Sequence, residues 1–194
     1  MKQKFLLSFM FMLLPIMASA LTQYEEKFTE IDGIYYRLLG GTYEAWVTCK
    51  SIITTEEWDK DTESPVSANY SGSLVIPSEV TYNGNTYPVT HIYRYAFYGC
   101  SDLTSVSIPT SVTTIDPNAL EGSAWYNNQP AGLLYIGNIL YKYRGTMPEN
   151  ASITLRDGTS AIVDGAFFGC SNLFSITIPN SVQDIGWNAF VNCI

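Results

Sequence analysis

Ala166-Phe-Phe-Gly-Cys-Ser-Asn-Leu-Phe-Ser-Ile-Thr-Ile-Pro-Asn-Ser-Val-Gln-Asp-Ile-Gly-Trp-Asn188 is followed at once by a second start of the same pattern, Ala189-Phe-Val-Asn-Cys193. An earlier copy begins at Ala96-Phe-Tyr-Gly-Cys-Ser-Asp-Leu103, runs to Asn118 and restarts at Ala119-Leu120. A unit of 23 residues that recurs within one chain predicts a solenoid, in which each unit buries its apolar face against its neighbours. Within the unit, Leu103, Val106 and Ile108 read as the inward face of a short strand, with Ser105 and Ser107 outward. Pro109 ends that strand because it has no N–H to give to a ladder. Val112 and Ile115 form a second short extended segment, and Asp116-Pro117-Asn118 turns the corner. Ala-Phe-x-Gly-Cys then packs as a helical turn or loop at the other edge, with the Phe as the main core plug.

Outward from these copies the frame is interrupted twice. The first repeat starts at Ser73-Leu-Val-Ile-Pro77 and holds nine more residues than the second between its Pro and the next Val. The extra stretch, near 81–88, contains Asn83-Gly84, a strong signal for a hairpin turn with φ > 0 at both central positions. The second interruption, near 125–150, holds Gly132-Leu-Leu-Tyr-Ile136 and Ile139-Leu-Tyr-Lys-Tyr143 around Gly137-Asn138, again a hairpin pattern. The frame returns at Ile153-Thr-Leu155, with Arg156 in place of the Pro. Residues 21–72 lack the repeat. Ile34-Tyr-Tyr-Arg-Leu38 and Tyr43-Glu-Ala-Trp-Val-Thr48, joined through Gly40-Gly41, read as a hairpin that covers the open end of the stack. The expected fold is therefore mainly β: a solenoid of short strands and short helical turns, capped by an N-terminal β-hairpin. It divides into 1–20, 21–72 and 73–194, the last with about four repeats. After Cys193 the frame calls for a further strand, so the expectation is a truncated chain, the other possibility being a partner over that end.

The first 20 residues read as a secretory signal peptide: Lys2 and Lys4, an apolar run from Phe5 to Met17, and the small-x-small site Ala18-Ser19-Ala20. The run is too short to span a bilayer. Cleavage near Ala20 leaves 174 of the 194 residues and takes the formal charge from −8 to −10. An acidic exported domain is repelled by nucleic acid and by anionic membranes, so neither is expected as a partner. The 14 Tyr and 4 Trp, with 14% charged residues, favour β-structure. Four cysteines are present. Cys100, Cys170 and Cys193 share one place in the repeat, and Ser123 occupies it once, as expected of a small packed position rather than an obligatory bridge. Cys170 and Cys193 lie one repeat apart, where pairing is also open.

Leu103-Thr-Ser-Val-Ser-Ile-Pro-Thr-Ser-Val-Thr-Thr-Ile115 and Ala166-Phe-Phe-Gly-Cys-Ser-Asn-Leu173 resemble the BspA-like, or Treponema pallidum type, leucine-rich repeat over residues 73–193. Leu120 for Phe, Ser123 for Cys, Asp116-Pro117 and Arg156 depart from that pattern. The resemblance implies an exported or cell-surface bacterial protein, in a family some of whose members bind host matrix proteins or mediate adhesion. It implies no shared catalytic site and no cofactor, so no functional residue carries over.

The residues themselves carry no recognisable chemistry of catalysis. His91, in Val89-Thr-His-Ile92, has no nucleophile and orienting acid at a recognisable spacing. Asp59-x-Asp61-x-Glu63 lacks the Gly and distant Glu of a calcium loop and reads as a solvated acidic surface. No metal site, phosphate loop or enzyme activity is expected. The function expected is a protein-binding or adhesion module at the bacterial surface, with a host matrix protein, another surface protein or a glycan as partner. A structural spacer and a carbohydrate-binding surface protein are the alternatives. Ser105, Ser107, Thr154, Arg156, Ser175 and Thr177 are expected to align on one polar face. The better contact candidates are the aromatics of the inserts, Tyr82, Tyr87, Trp125, Tyr126, Tyr135, Tyr141 and Tyr143, because exposed aromatics supply rigid contact area.

Overall fold

The computed structural model describes residues 26–50 and 70–193. The signal segment, its cleavage site and the acidic stretch with Asp59, Asp61 and Glu63 lie outside the described residues. Among the described residues the regular structure is almost all β-strand. Strands β1 (Glu26–Ile31), β2 (Ile34–Leu39) and β3 (Glu44–Thr48) form an antiparallel meander. Alternation puts Ile34, Tyr36 and Leu38 inward on β2, all of them buried. Strand β4 (Gly72–Val75) follows, then β5 (Glu79–Tyr82) and β6 (Asn85–Ile92), which pair antiparallel around Asn83-Gly84. The φ values of 49° at Asn83 and 78° at Gly84 are those that turn requires. Next come β7 (Leu103–Ser107), β8 (Thr114–Ile115) and a single helical turn α1 (Ala124–Asn127). Strands β9 (Gly132–Ile136) and β10 (Ile139–Arg144) form the second hairpin, followed by β11 (Ala151–Thr154), β12 (Ala161–Ile162), β13 (Leu173–Thr177) and β14 (Asp184–Ile185).

Copies of the repeat stack through parallel pairing. Ile92 pairs with Ile115 and Ile162 with Ile185, each one repeat of 23 residues apart. The meander joins this stacking directly, because β3 pairs in parallel with β6. The second hairpin joins it too, because β10 pairs in parallel with β12 and lies beside β8. The row of longer strands is not continuous. Strand β4 pairs with β7 and β11 with β13, as two separate two-stranded sheets. The expected single polar face from Ser105 to Thr177 is therefore two shorter ones. The reason is α1, which packs against β7 where the next long strand would stack.

The small position of the repeat explains why a helix starts there. Ser123 takes the place of Cys100 and is fully buried. Its Oγ accepts the N–H of Tyr126, capping α1, and donates to the Leu120 carbonyl. A Cys would fill the space but cap poorly, so Ser at this point of the frame both packs and redirects the chain.

The loops carry the tightest regularity. The residue before each Ala is left-handed: Tyr95, Asn118, Gly165 and Asn188 have φ of 60°, 60°, 64° and 56°. So is the residue three after each Ala: Gly99, Gly122, Gly169 and Asn192, with φ of 66°, 76°, 74° and 59°. Gly and Asn recur at these places because they tolerate that region. At Gly122 a Cβ would also come within 3.2 Å of the Gly99 backbone nitrogen. These two bends aim the residue after Ala inward, and Phe97, Leu120 and Phe167 are all 0% exposed.

Two outcomes test this account in chemical denaturation. Tyr95 is neither Gly nor Asn and holds a left-handed φ at a cost of about 1–2 kcal/mol, so Tyr95→Asn raises stability by about 1 kcal/mol, reduced by its lost edge contact with Tyr98. A lower stability would mean that the Tyr95–Tyr98 contact outweighs the strain. Ser123→Ala removes the cap and lowers stability by about 1 kcal/mol.

Candidate functional site

The loop edge of the stack exposes apolar side chains. In each Ala-Phe-x loop the Phe fills the core, so the next side chain faces out. Tyr98, Phe168 and Val191 are 40%, 59% and 39% exposed at that position. Among the described residues Trp187, at the corner before the last loop, is the most exposed large apolar residue at 83%, and Phe174 on β13 follows at 76%. Phe168 and Trp187 belong to stacked loops: Gly165 N–H donates to the Trp187 carbonyl at 3.0 Å, and Trp187 N–H donates to Asp164 Oδ1 at 2.9 Å. Sequence reasoning passed over these residues because they sit inside the repeat, whose aromatics were assigned to the core. The available signal was the doublet Phe167-Phe168, of which one ring must face outward once the other is the plug.

Of the seven aromatics expected to make contacts, two are buried and five are partly exposed. Tyr87 and Tyr141 are buried in the core and offer no contact surface. Tyr141 is buried because β10 replaces a missing repeat loop. Leu120 N–H, which in a regular repeat would donate to the next Ala carbonyl, donates instead to the Tyr141 hydroxyl at 3.2 Å. Tyr143 N–H in turn donates to the Ala166 carbonyl at 2.8 Å. The Tyr141 hydroxyl donates to Glu121, which also receives Lys142 Nζ at 2.8 Å. The other five are half-buried and packed against the core. Tyr143 stacks against Phe167 with the rings inclined by 30°, Arg144 covers Tyr126 at 4.4 Å, and Arg156 covers Tyr135 at 4.0 Å while its backbone N–H donates to the Tyr135 hydroxyl. Arg156 thus leaves the polar strand face and clamps the hairpin, reaching the Gly137 carbonyl. Trp125, on α1, and Tyr82, beside the first hairpin turn, pack on the larger core cluster.

His91 belongs to a ladder on one face of the six-stranded sheet. Register places Phe28, Arg37, Trp46, His91 and Thr114 side by side on five neighbouring strands. Trp46 is sandwiched between the Arg37 guanidinium at 5.0 Å and the His91 ring at 4.3 Å. His91 Nε2 lies 2.8 Å from Asp116 Oδ1, and Asp116 Oδ2 accepts the Arg94 N–H. Both faces of the indole are taken, so this cluster holds strands together instead of presenting a flat ring to a ligand. Among the described residues no group of three or more His, Cys, Asp or Glu is placed to hold a metal ion. Among them, too, no helix is long and apolar enough to cross a membrane.

Residues 134–194 match the family model described as BspA type leucine rich repeat region. No curated protein matches the chain. Among solved structures, the leucine rich repeat protein of T. pallidum is 24% identical over 86% of this chain and 68% of its own, with a TM-score of 0.44. A leucine rich cell surface protein of Faecalibacterium prausnitzii is 18% identical, covering 87% of this chain and 53% of its own, with a TM-score of 0.35. A leucine-rich repeat protein of Bacteroides capillosus is 17% identical, covering 82% and 97%, with a TM-score of 0.37. The family match begins at residue 134, while the left-handed loop positions that mark the repeat are already in place at Tyr95 and Gly99.

Burial of tyrosines makes the fold sensitive to alkali. Burial pushes the Tyr36, Tyr70 and Tyr141 hydroxyls well above the usual tyrosine value, Tyr141 being raised further by the Glu121 charge beside it. Each stays protonated in the fold while the unfolded chain ionises from about pH 10. The unfolded state then binds fewer protons, so stability falls as pH rises above about 10, by about 1.4 kcal/mol per pH unit for each such tyrosine. The Tyr36 hydroxyl is buried and has no hydrogen-bond partner among the described residues. Tyr36→Phe therefore leaves neutral stability unchanged or raised and makes the alkaline slope shallower, measured by urea unfolding from pH 9 to 11. An unchanged slope would mean that Tyr36 ionises in the fold.

Proposed function

We infer that this chain, which carries BspA-type leucine-rich repeats over residues 134–194, is a non-catalytic exported protein-binding module acting at a bacterial surface. The observation that carries this reading is the outward apolar side chains Phe168, Trp187 and Val191 on two adjacent stacked loops, with Tyr98 exposed at the same repeat position further along the stack. A large aromatic group left in water favours association, and exposed apolar clusters of this kind mark contact surfaces. The repeat is suited to the task because stacked loops hold such side chains at fixed spacing on a stiff backbone. The architecture is read as a solenoid of about four repeats over 73–194, with the segment 21–72 acting as its cap and the two hairpins as inserts. Adhesion to a host matrix protein, or to another surface protein, is the form of binding proposed.

On this reading the contact surface moves from the hairpin aromatics to the loop edge. The half-buried edges of Tyr126 and Tyr135 remain as flanking contacts, held rigid by Arg144 and Arg156. The test is binding of the purified chain to immobilised extracellular-matrix proteins and mucins, with the same proteins deglycosylated as a second arm. Phe168→Ser with Trp187→Ser weakens binding at least about tenfold, a loss of about 1.4 kcal/mol, with thermal stability unchanged. Full binding by that double variant would remove the loop edge from the proposal. Binding that disappears on deglycosylation would replace a protein partner with a glycan.

A further inference from the structure

Cys170 and Cys193 occupy the same place in consecutive repeats, and their loops are tied by three backbone hydrogen bonds. Gly165 N–H donates to Trp187, Phe167 N–H to Ala189 and Gly169 N–H to Val191, at 3.0, 2.8 and 2.9 Å. Such stacking spaces equivalent backbones by about 4.8 Å, inside the Cα separation of about 4.4–6.8 Å that a disulfide spans. The Cys193 side chain also reaches back across the stack. Cys193 Sγ donates to the Phe167 carbonyl at 3.2 Å, and the Cys170 N–H donates to that same oxygen at 3.0 Å. The Cys193 sulfur is thus turned back toward the repeat that holds Cys170. Both residues are only partly buried, so an oxidant can reach them. The Cys100 position has Ser123 as its neighbour in the following repeat, so the same bond has no second sulfur there.

We propose that Cys170 and Cys193 form a disulfide-competent pair, which a disulfide oxidant of the exported environment converts into a staple between two consecutive repeats. The thiolate of one cysteine attacks a sulfur of the oxidant RSSR and displaces RS⁻, leaving a mixed disulfide. The second cysteine, as its thiolate, attacks the protein sulfur of that mixed disulfide and displaces the other RS⁻. Two protein thiols lose two electrons and two protons in all, and the oxidant becomes two RSH. Burial raises the pKa of both thiols, and the neighbouring Cys193 raises that of Cys170 further. The first attack is therefore slow, and the bond follows from proximity instead of an activated thiolate. The bond closes a short loop across the loops that present Phe168 and Trp187, holding that apolar edge in its stacked form.

The experiment exposes the reduced, folded chain to oxidised glutathione at neutral pH, traps it in acid and maps its peptides by mass. The expected product is a monomer about 2 Da lighter with a Cys170–Cys193 linked peptide, reversed by dithiothreitol. Its thermal unfolding is several degrees higher than that of the reduced chain. Cys193→Ser gives no internal bond at Cys170 under the same conditions, and Cys170→Ser leaves at most a glutathione adduct on Cys193. Stable glutathione adducts on both Cys170 and Cys193 of the unchanged chain would overturn the proposal. So would linkage between chains, linkage to Cys49 or Cys100, or a Cys170–Cys193 bond that forms only in urea.

Discussion

Each repeat loop donates alternate backbone N–H groups to the carbonyls of the loop that follows it, and the donor that follows the Ala sends its own side chain into the core. Phe167 shows the coupling most plainly: its N–H bonds Ala189 at 2.8 Å and its ring is fully buried, parallel to Phe190. A buried N–H without an acceptor costs as much as a hydrogen bond. Every loop must therefore find either another loop or a substitute for one. The left-handed residues on both sides of the Ala-Phe pair make this possible, since they bend the chain enough to aim the Phe inward while leaving its N–H along the stack.

That constraint explains the second hairpin. The sequence between Leu120 and Ala166 has no regular loop, yet the donors at Leu120 and the acceptor at Ala166 still need partners. Strand β10 supplies both, with the Tyr141 hydroxyl in place of a carbonyl and the Tyr143 N–H in place of a Phe N–H. Arg144 and Arg156 then clamp the remaining aromatics of the insert against the stack. What reads in sequence as an aromatic-rich protrusion is a patch that keeps two segments of repeat in one structure. The cost is the break in the long-strand row, where α1 stands beside β7.

The same coupling divides the aromatic side chains into two classes. Those whose neighbours in the stack are complete are drawn in, whatever their polarity: Tyr36, Tyr87 and Tyr141 are all buried. Those at the position after the plug cannot turn in, because the core beneath them is already filled. Exposure of Tyr98 and Phe168 therefore follows from the burial of Phe97 and Phe167. An exposed edge built in this way is stiff, and its composition can change without disturbing the core.

The repeat period, the strand alternation at Leu103–Ser107, the Asn83-Gly84 turn and the hairpin around Gly137-Asn138 were all legible in the sequence. Each rests on local preferences: periodic apolar residues, a Pro that stops a ladder, an Asn or Gly where φ is positive. The same reading placed Ser123 correctly as a small packed position. Tertiary structure alone decided which aromatics face water. Burial depends on whether a neighbouring repeat is present, and in this chain the neighbour of Leu120 is a hairpin strand whose place in the stack the repeat period does not mark. It also decided that the polar strand face is split, and that the sulfur of Cys193 turns toward the repeat of Cys170, because those outcomes are set by stacking between repeats and not by residue type.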